Sequence, residues 1–199
     1  MPAHIDIISP DHFKTVPWKN GLGETIELAI NEGGTLANFD WRLSMASVVE
    51  DGVFSNFEHY TRHLILTEGN GINLQHNANT IDKLTNILDM ATFDGGNTTV
   101  GNLHAGDITD FNIITRTQKV NTQVVTHKKA SNNLLETADM CFIYSLYRDV
   151  TLTLGPNNQR ILPAKHLTKI TEITEITENT QQHLNITGDH IIIVYLTEK

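Results

Sequence analysis

Three short stretches of the 199-residue chain concentrate side chains able to recognise or transform a small polar molecule. Trp18-Lys19-Asn20, then Gly21-Leu22-Gly23 and Glu24, stand at the entry to the apolar run ETIELAI. Lys19 offers a compact positive charge and Asn20 both a donor and an acceptor, while the glycines let the backbone turn tightly and come close to a ligand. A simple turn anchored by Trp18 uses the same residues equally well. The other two stretches, DWRLSMASV at 40–48 and DFNIITR at 110–116, each carry arginine. A guanidinium recognises a carboxylate through two parallel hydrogen bonds, so their chemistry is that of anion binding.

Side chains alternate between the faces of a strand. Trp41, Leu43 and Met45 therefore share one face and Arg42, Ser44 and Ala46 the other; Phe111 and Ile113 stand opposite Asp110, Asn112 and Arg116. A polar face on an antiparallel strand ordinarily looks at water. Small Ser44 and Ala46 beside Arg42, with no mixture of Lys and Glu, suit a crowded interior instead, and periodicity does not separate the two. Glu24 and Asp110 are candidate ion-pair partners for Arg42 or Arg116.

Other chemistries find little support. A strand-borne His-x-His pattern fails because Ala78 stands two residues after His76, and His59 and His63 are too far apart on an extended chain to chelate easily. There is no nucleophile elbow, no phosphate loop, and no G-x-G-x-x-G opening a helix. No metal or other cofactor is expected.

The elements that must position these residues are strands. Thr, Asn, Ile and Val are frequent and helical apolar stripes are scarce. Strands are expected at about 24–30, 40–48, 61–67, 71–76, 108–115, 141–147, 150–154 and 190–197, separated by turns as in a sandwich or barrel. EGNG between the third and fourth predicts a hairpin. Residues 90–106, with four glycines, read as a loop-rich crossing, and a domain boundary is expected near 120–138. The ITE triplets of 170–178 fit neither strand nor helix period, and a drifting, partly exposed strand is the plainest account. Cys141 in MCFIYSLY reads as a buried strand position.

Hydrophobic residues make up 39% and charged residues 19%, a globular composition, and no apolar run approaches the roughly 18 residues that span a bilayer. A net charge of −9, from 14 Lys plus Arg against 23 Asp plus Glu, disfavours nucleic acid and anionic membrane surfaces as partners. MPAHIDIISPDHF lacks the pattern of a secretory signal, and a single cysteine forms no internal disulfide, so a cytoplasmic protein is expected.

PWKNGLGETIEL (17–28), FDWRLSMASVVEDGVFSNFEHYTRHLILTEGNGINL (39–74) and TFDGGNTTVGNLHAGDITDFNIITR (92–116) together resemble the HutD/Ves family of cupin-like bacterial proteins. The resemblance implies an all-β bicupin of two small antiparallel, jelly-roll-like β-barrel halves. The first would span 1–120 and hold a pocket; the second would span 121–199. Trp18, Lys19, Asn20, Arg42, Ser44, Asp110, Asn112 and Arg116 would then face inward, with Glu24 and Arg62 completing the ligand-binding set. The family commonly has F-P-G where this chain has Phe57-Glu58-His59, which would reshape the pocket mouth. The expected function is metal-independent binding of a small carboxylate such as formate, urocanate or a formylglutamate, in regulation or metabolite sensing linked to histidine utilisation or stress. The alternative is an acid–base isomerase or hydrolase using Glu24, Asp110 or His59 on a small anionic metabolite. A homodimer is expected by analogy with other cupins.

Overall fold

The computed structural model describes residues 3–17, 24–155, 157–173 and 184–199. Nineteen strands are present among them: β1 (His4–Ile8), β2 (Lys14–Pro17), β3 (Glu24–Ile30), β4 (Trp41–Val48), β5 (Gly52–Val53), β6 (Tyr60–Glu68), β7 (Ile72–His76), β8 (Thr80–Leu84), β9 (Met90–Asp94), β10 (Thr99–Leu103), β11 (Ile108–Arg116), β12 (Val120–His127), β13 (Ser131–Leu134), β14 (Ala138–Ser145), β15 (Val150–Leu154), β16 (Gln159–Leu162), β17 (Leu167–Ile173), β18 (Leu184–Gly188) and β19 (Ile191–Glu198). No helix among the described residues is long and apolar enough to cross a membrane.

The chain divides into two compact units, one made of residues 13–120 with Lys199, the other of residues 121–198 with the segment up to His12. In the first, a six-stranded sheet ordered β2-β3-β4-β11-β6-β9 accompanies a four-stranded sheet β5-β10-β7-β8. Leu64, Leu66, Ala91, Phe93, Val48 and Ile108 of the larger sheet pack with Ile72, Leu74 and Leu84 of the smaller one, closing a flattened antiparallel barrel. The second unit repeats the plan with sheets β1-β17-β14-β19-β12 and β13-β18-β15-β16 around Cys141, Ile143, Leu152, Ile170, Ile186 and Ile193. The all-β, two-barrel expectation is thus the observed fold. Cys141 is fully buried there, its thiol pushed far up by desolvation.

Strand β1 pairs with β17, from His4 opposite Thr171 to Ile8 opposite Leu167, so the first dozen residues belong to the second unit rather than to the barrel that follows them. The expected 61–67/71–76 hairpin does not form. β6 pairs with β11 and β9, whereas β7 pairs with β10 and β8, so EGNG carries the chain across from one sheet to the other. Gly69 and Gly71 take positive φ, 94° and 119°, and a Cβ on Gly69 would stand 2.4 Å from the carbonyl oxygen of Asp107. The stretch 90–106 is not a loop but β9 and β10 joined by the DGG turn, and 117–139 holds β12 and β13. The first ITE triplet lies in β17; the repeat beyond Ile173 falls outside the described residues.

Replacing Gly69 by Ala combines backbone strain with a clash against backbone atoms that cannot swing aside. We expect a loss of roughly 1–3 kcal/mol, read as a lowered urea midpoint with an unchanged slope.

Candidate functional site

Antiparallel register brings the predicted polar residues of the first barrel together. On β11, Asp110 stands between Ala46 of β4 and Leu66 of β6, Asn112 between Ser44 and Leu64, and Ile114 between Arg42 and Arg62. Alternation puts Arg42, Ser44, Arg62, Asp110 and Asn112 on the face shared with the core residues Leu64, Leu66 and Ile114, and all five are buried, Asp110 at 0% exposure. The polar faces of β4 and β11 therefore line the barrel rather than meeting water.

Arg62 is the centre of the cluster. Its Nη2 donates to Asn112 Oδ1 at 2.8 Å and its Nη1 to the Ser55 carbonyl at 3.1 Å. The guanidinium carbon lies 5.2 Å from the ring centre of Phe93 and 5.6 Å from those of Phe54 and Phe57. The negative ring faces offset part of the charge's lost hydration. Asn112 donates in turn to Asp110 Oδ1. The line ends at two unused positions, since Arg62 Nε and Asp110 Oδ2 are both buried without a hydrogen-bond partner. Burial lowers the Arg62 pKa to about 10, with the Asp110 charge opposing. Burial also raises the Asp110 carboxyl from 3.8 to about 7, against the pull of Arg62 and the hydrogen bond from Asn112.

Arg42 and Arg116 are engaged differently from what sequence suggested. Arg42 donates through Nε to Glu27 Oε2 at 2.7 Å, not to Glu24, which is exposed at the start of β3. Arg116 sits at the half-exposed end of β11. Its Nε donates to Asp40 at 3.2 Å, and its Nη2 donates to the Tyr60 hydroxyl at 2.7 Å, Asn38 Oδ1 and the Phe39 carbonyl. It pins the 38–40 corner onto Tyr60 and lies apart from the Arg62 line. Trp18, Lys19 and Asn20 fall outside the described residues.

Glu58 and His59 line a polar surface depression of about 530 Å³ with Asn56, Asp94, Gly96, Asn97, Thr117 and Gln118. His59 holds a φ of 72° and its side chain is 72% exposed. His63 lies on the opposite face of β6 from Arg62, its Nδ1 bonded to Thr92 and its pKa lowered to about 4 by burial. Among the described residues no group of three or more His, Cys, Asp or Glu is placed to hold a metal ion.

The cage rings and Glu27 escaped the sequence reading. Phe93 and Ala91 are buried between exposed neighbours in MATFD, a strand signal hidden by the glycines that follow. Phe54 is accommodated by Gly101, whose Cβ would come within 2.5 Å of the ring. Glu27 opposes Ser44 in the unbroken pairing that runs from Thr25–Ala46 through Ile26–Met45, and from there reaches Arg42; the register of β3 on β4, not the local run, supplies this partner.

Two successive antiparallel barrels, the first with ionisable residues inside, make this chain a bicupin. It belongs to the HutD family, whose model matches residues 10–193. The chain is 32% identical over 117 residues to an uncharacterised 21.2 kDa protein of the hutC 3′ region in Pseudomonas putida, a match covering 59% of this chain and 61% of that one. It is 35% identical over 100 residues to the Protein Ves of Escherichia fergusonii, covering 50% and 51%. It thus spans between half and two thirds of the length of these curated relatives. HutD from Pseudomonas fluorescens SBW25 superposes with a TM-score of 0.83 at 24% identity, over 98% of this chain and 100% of that one.

Two outcomes follow from the charges. Glu27→Ala leaves Arg42 unpaired with its side chain 6% exposed; because Glu27 is itself 18% exposed, the expected cost is about 2–3 kcal/mol in the denaturation midpoint, below that of a fully buried pair. Asp110, whose folded pKa lies above the unfolded one, contributes stability that is complete below about pH 4 and lost as pH rises through about 7. Asp110→Asn should flatten this decline, measured as urea midpoints from pH 5 to 8; an unaltered slope would show that the carboxyl titrates normally.

Proposed function

We propose that this HutD-family bicupin binds a small carboxylate inside its first barrel without a metal ion, and that binding serves regulation or metabolite sensing rather than catalysis. The observation carrying this reading is the caged Arg62, a buried cation with an unused Nε–H on the same interior face as Arg42, Ser44 and Asn112. A ligand carboxylate accepting that N–H would gain a charge-assisted hydrogen bond in a site poor in competing water. Arg62 takes the central role that sequence had shared with Arg42 and Arg116, whose carboxylate partners Glu27 and Asp40 already answer much of their charge.

The names of the relatives supply the biological setting. A hutC 3′ region protein and a HutD point to histidine utilisation, and Ves to the stress-related branch. Histidine breakdown proceeds through carboxylates: urocanate, formylated or formiminated glutamate, and formate. These are the first ligands to try.

One observation favours the enzymatic alternative. Asp110, raised to about 7, has the proton affinity that suits a general acid or base at neutral pH. The other bases named from sequence suit that role less, since Glu24 and His59 are exposed.

Thermal-shift titration against formate, urocanate, N-formylglutamate, formiminoglutamate and histidine tests the reading. A ligand at 100 times its Kd should stabilise by about 2.7 kcal/mol, a rise of several degrees. Arg62→Met, which keeps the cage filled, should lose that rise; a shift surviving in the variant would displace the site from Arg62. Turnover of any binding compound, followed by proton NMR, would move the protein to the enzymatic reading.

A further inference from the structure

We infer that the site takes up its carboxylate together with a proton from solvent, which lands on Asp110. The inference rests on the carboxylate reading above and adds to it a mode of regulation.

The geometry carries it. Asp110 has no exposure to water, its Oδ1 is held by Asn112, and its Oδ2 has no partner. Asn112 is at the same time an acceptor for Arg62. One amide thus couples the cation and the carboxylate, and neither charge reaches solvent.

Among the described residues, the charged and titratable groups that face this interior come from the four neighbouring strands β3, β4, β11 and β6 and from β7 and β8 of the smaller sheet. β6 brings Arg62, linked through Asn112 to Asp110 of β11; β4 brings Arg42 against Glu27 of β3; β7 brings His76, bonded to Asp82 of β8, its ring centre 4.5 Å from that of Phe93. The nearest cross-strand neighbours of Asp110, Ala46 and Leu66, are apolar. Where Asp110 is ionised, a carboxylate arriving at Arg62 Nε brings a second negative charge to the same guanidinium. Two carboxylates sharing one buried cation raise the proton affinity of the less solvated one, which here is Asp110. Its poise near neutrality places that response where a cell can use it. Protonation leaves the partnerless Oδ2 without the burden of a buried charge.

Linkage sets the sign. Below about pH 7 Asp110 already holds its proton in the free protein, so affinity is flat; above that, binding must import one proton, and affinity falls by up to tenfold per pH unit. Formate, which stays ionised throughout this range, is the probe. Its Kd is measured from pH 6 to 9 for the native chain and for Asp110→Asn. Calorimetry at pH 8.5, in two buffers of different ionisation enthalpy, counts the protons taken up by the native chain. We expect uptake approaching one proton per formate, the tenfold slope in the native chain, and a flat profile in the variant. Formate binding with a flat native profile and no proton uptake overturns the coupling and leaves the carboxylate site standing. No formate binding at any pH overturns the site and the coupling together. The proton count needs no variant, so it decides the matter even if Asp110→Asn fails to fold.

Discussion

The first barrel is organised by the need to keep a guanidinium out of water. An ion moved into an apolar interior loses several kcal/mol of hydration even after relaxation. Arg62 recovers this from three sources: π faces of three phenylalanines, the Ser55 carbonyl, and the Asn112–Asp110 relay. Together they draw on three parts of the chain. Phe54, Ser55 and Phe57 precede β6, Phe93 comes from β9, and the amide and carboxyl from β11. The interior charge therefore ties the larger sheet to the segment leading into it, and it selects one register, because a one-residue slip of β11 would send Asn112 to the opposite face.

The same accounting separates three arginines that look alike in sequence. Arg116 is half solvated and spends its donors on a corner; Arg42 is buried but answered directly by Glu27; Arg62 is buried and answered only through an intermediary. An amide relay is a weaker counterion than a direct carboxylate contact. The residual imbalance shows in both partners at once, a lowered arginine and a raised aspartate. Polarity left over after folding in this way is what a ligand can exploit.

The long strands were legible because each has one apolar face of period two, as in WRLSMASV and DFNIITR. What was not legible shares a cause: the information lay in pairing rather than in the local run. EGNG has hairpin composition, yet the strands it joins find partners in different sheets. The glycines of 95–106 mask two real strands, one of them made to fit the Phe54 ring. Glu27 reaches Arg42 through the register of β3 on β4. Even the inward aim of Arg42 and Asn112 was undecided by alternation, which sorts faces without saying which one meets water; only the family resemblance turned it inward, and burial in the structure agrees.

The pairing of β1 with β17 bears on the order in which the chain can fold. Residues 13–120 are nearly contiguous and can close their barrel as soon as they leave the ribosome. The second barrel cannot, because one edge of its five-stranded sheet was synthesised first and must wait, unpaired, for a partner more than 150 residues later. Throughout that interval His4–Ile8 is an unsatisfied strand, and β17, once made, is an open edge of the kind that recruits neighbouring chains. Completion of the second unit is therefore a long-range closure, slow relative to the first.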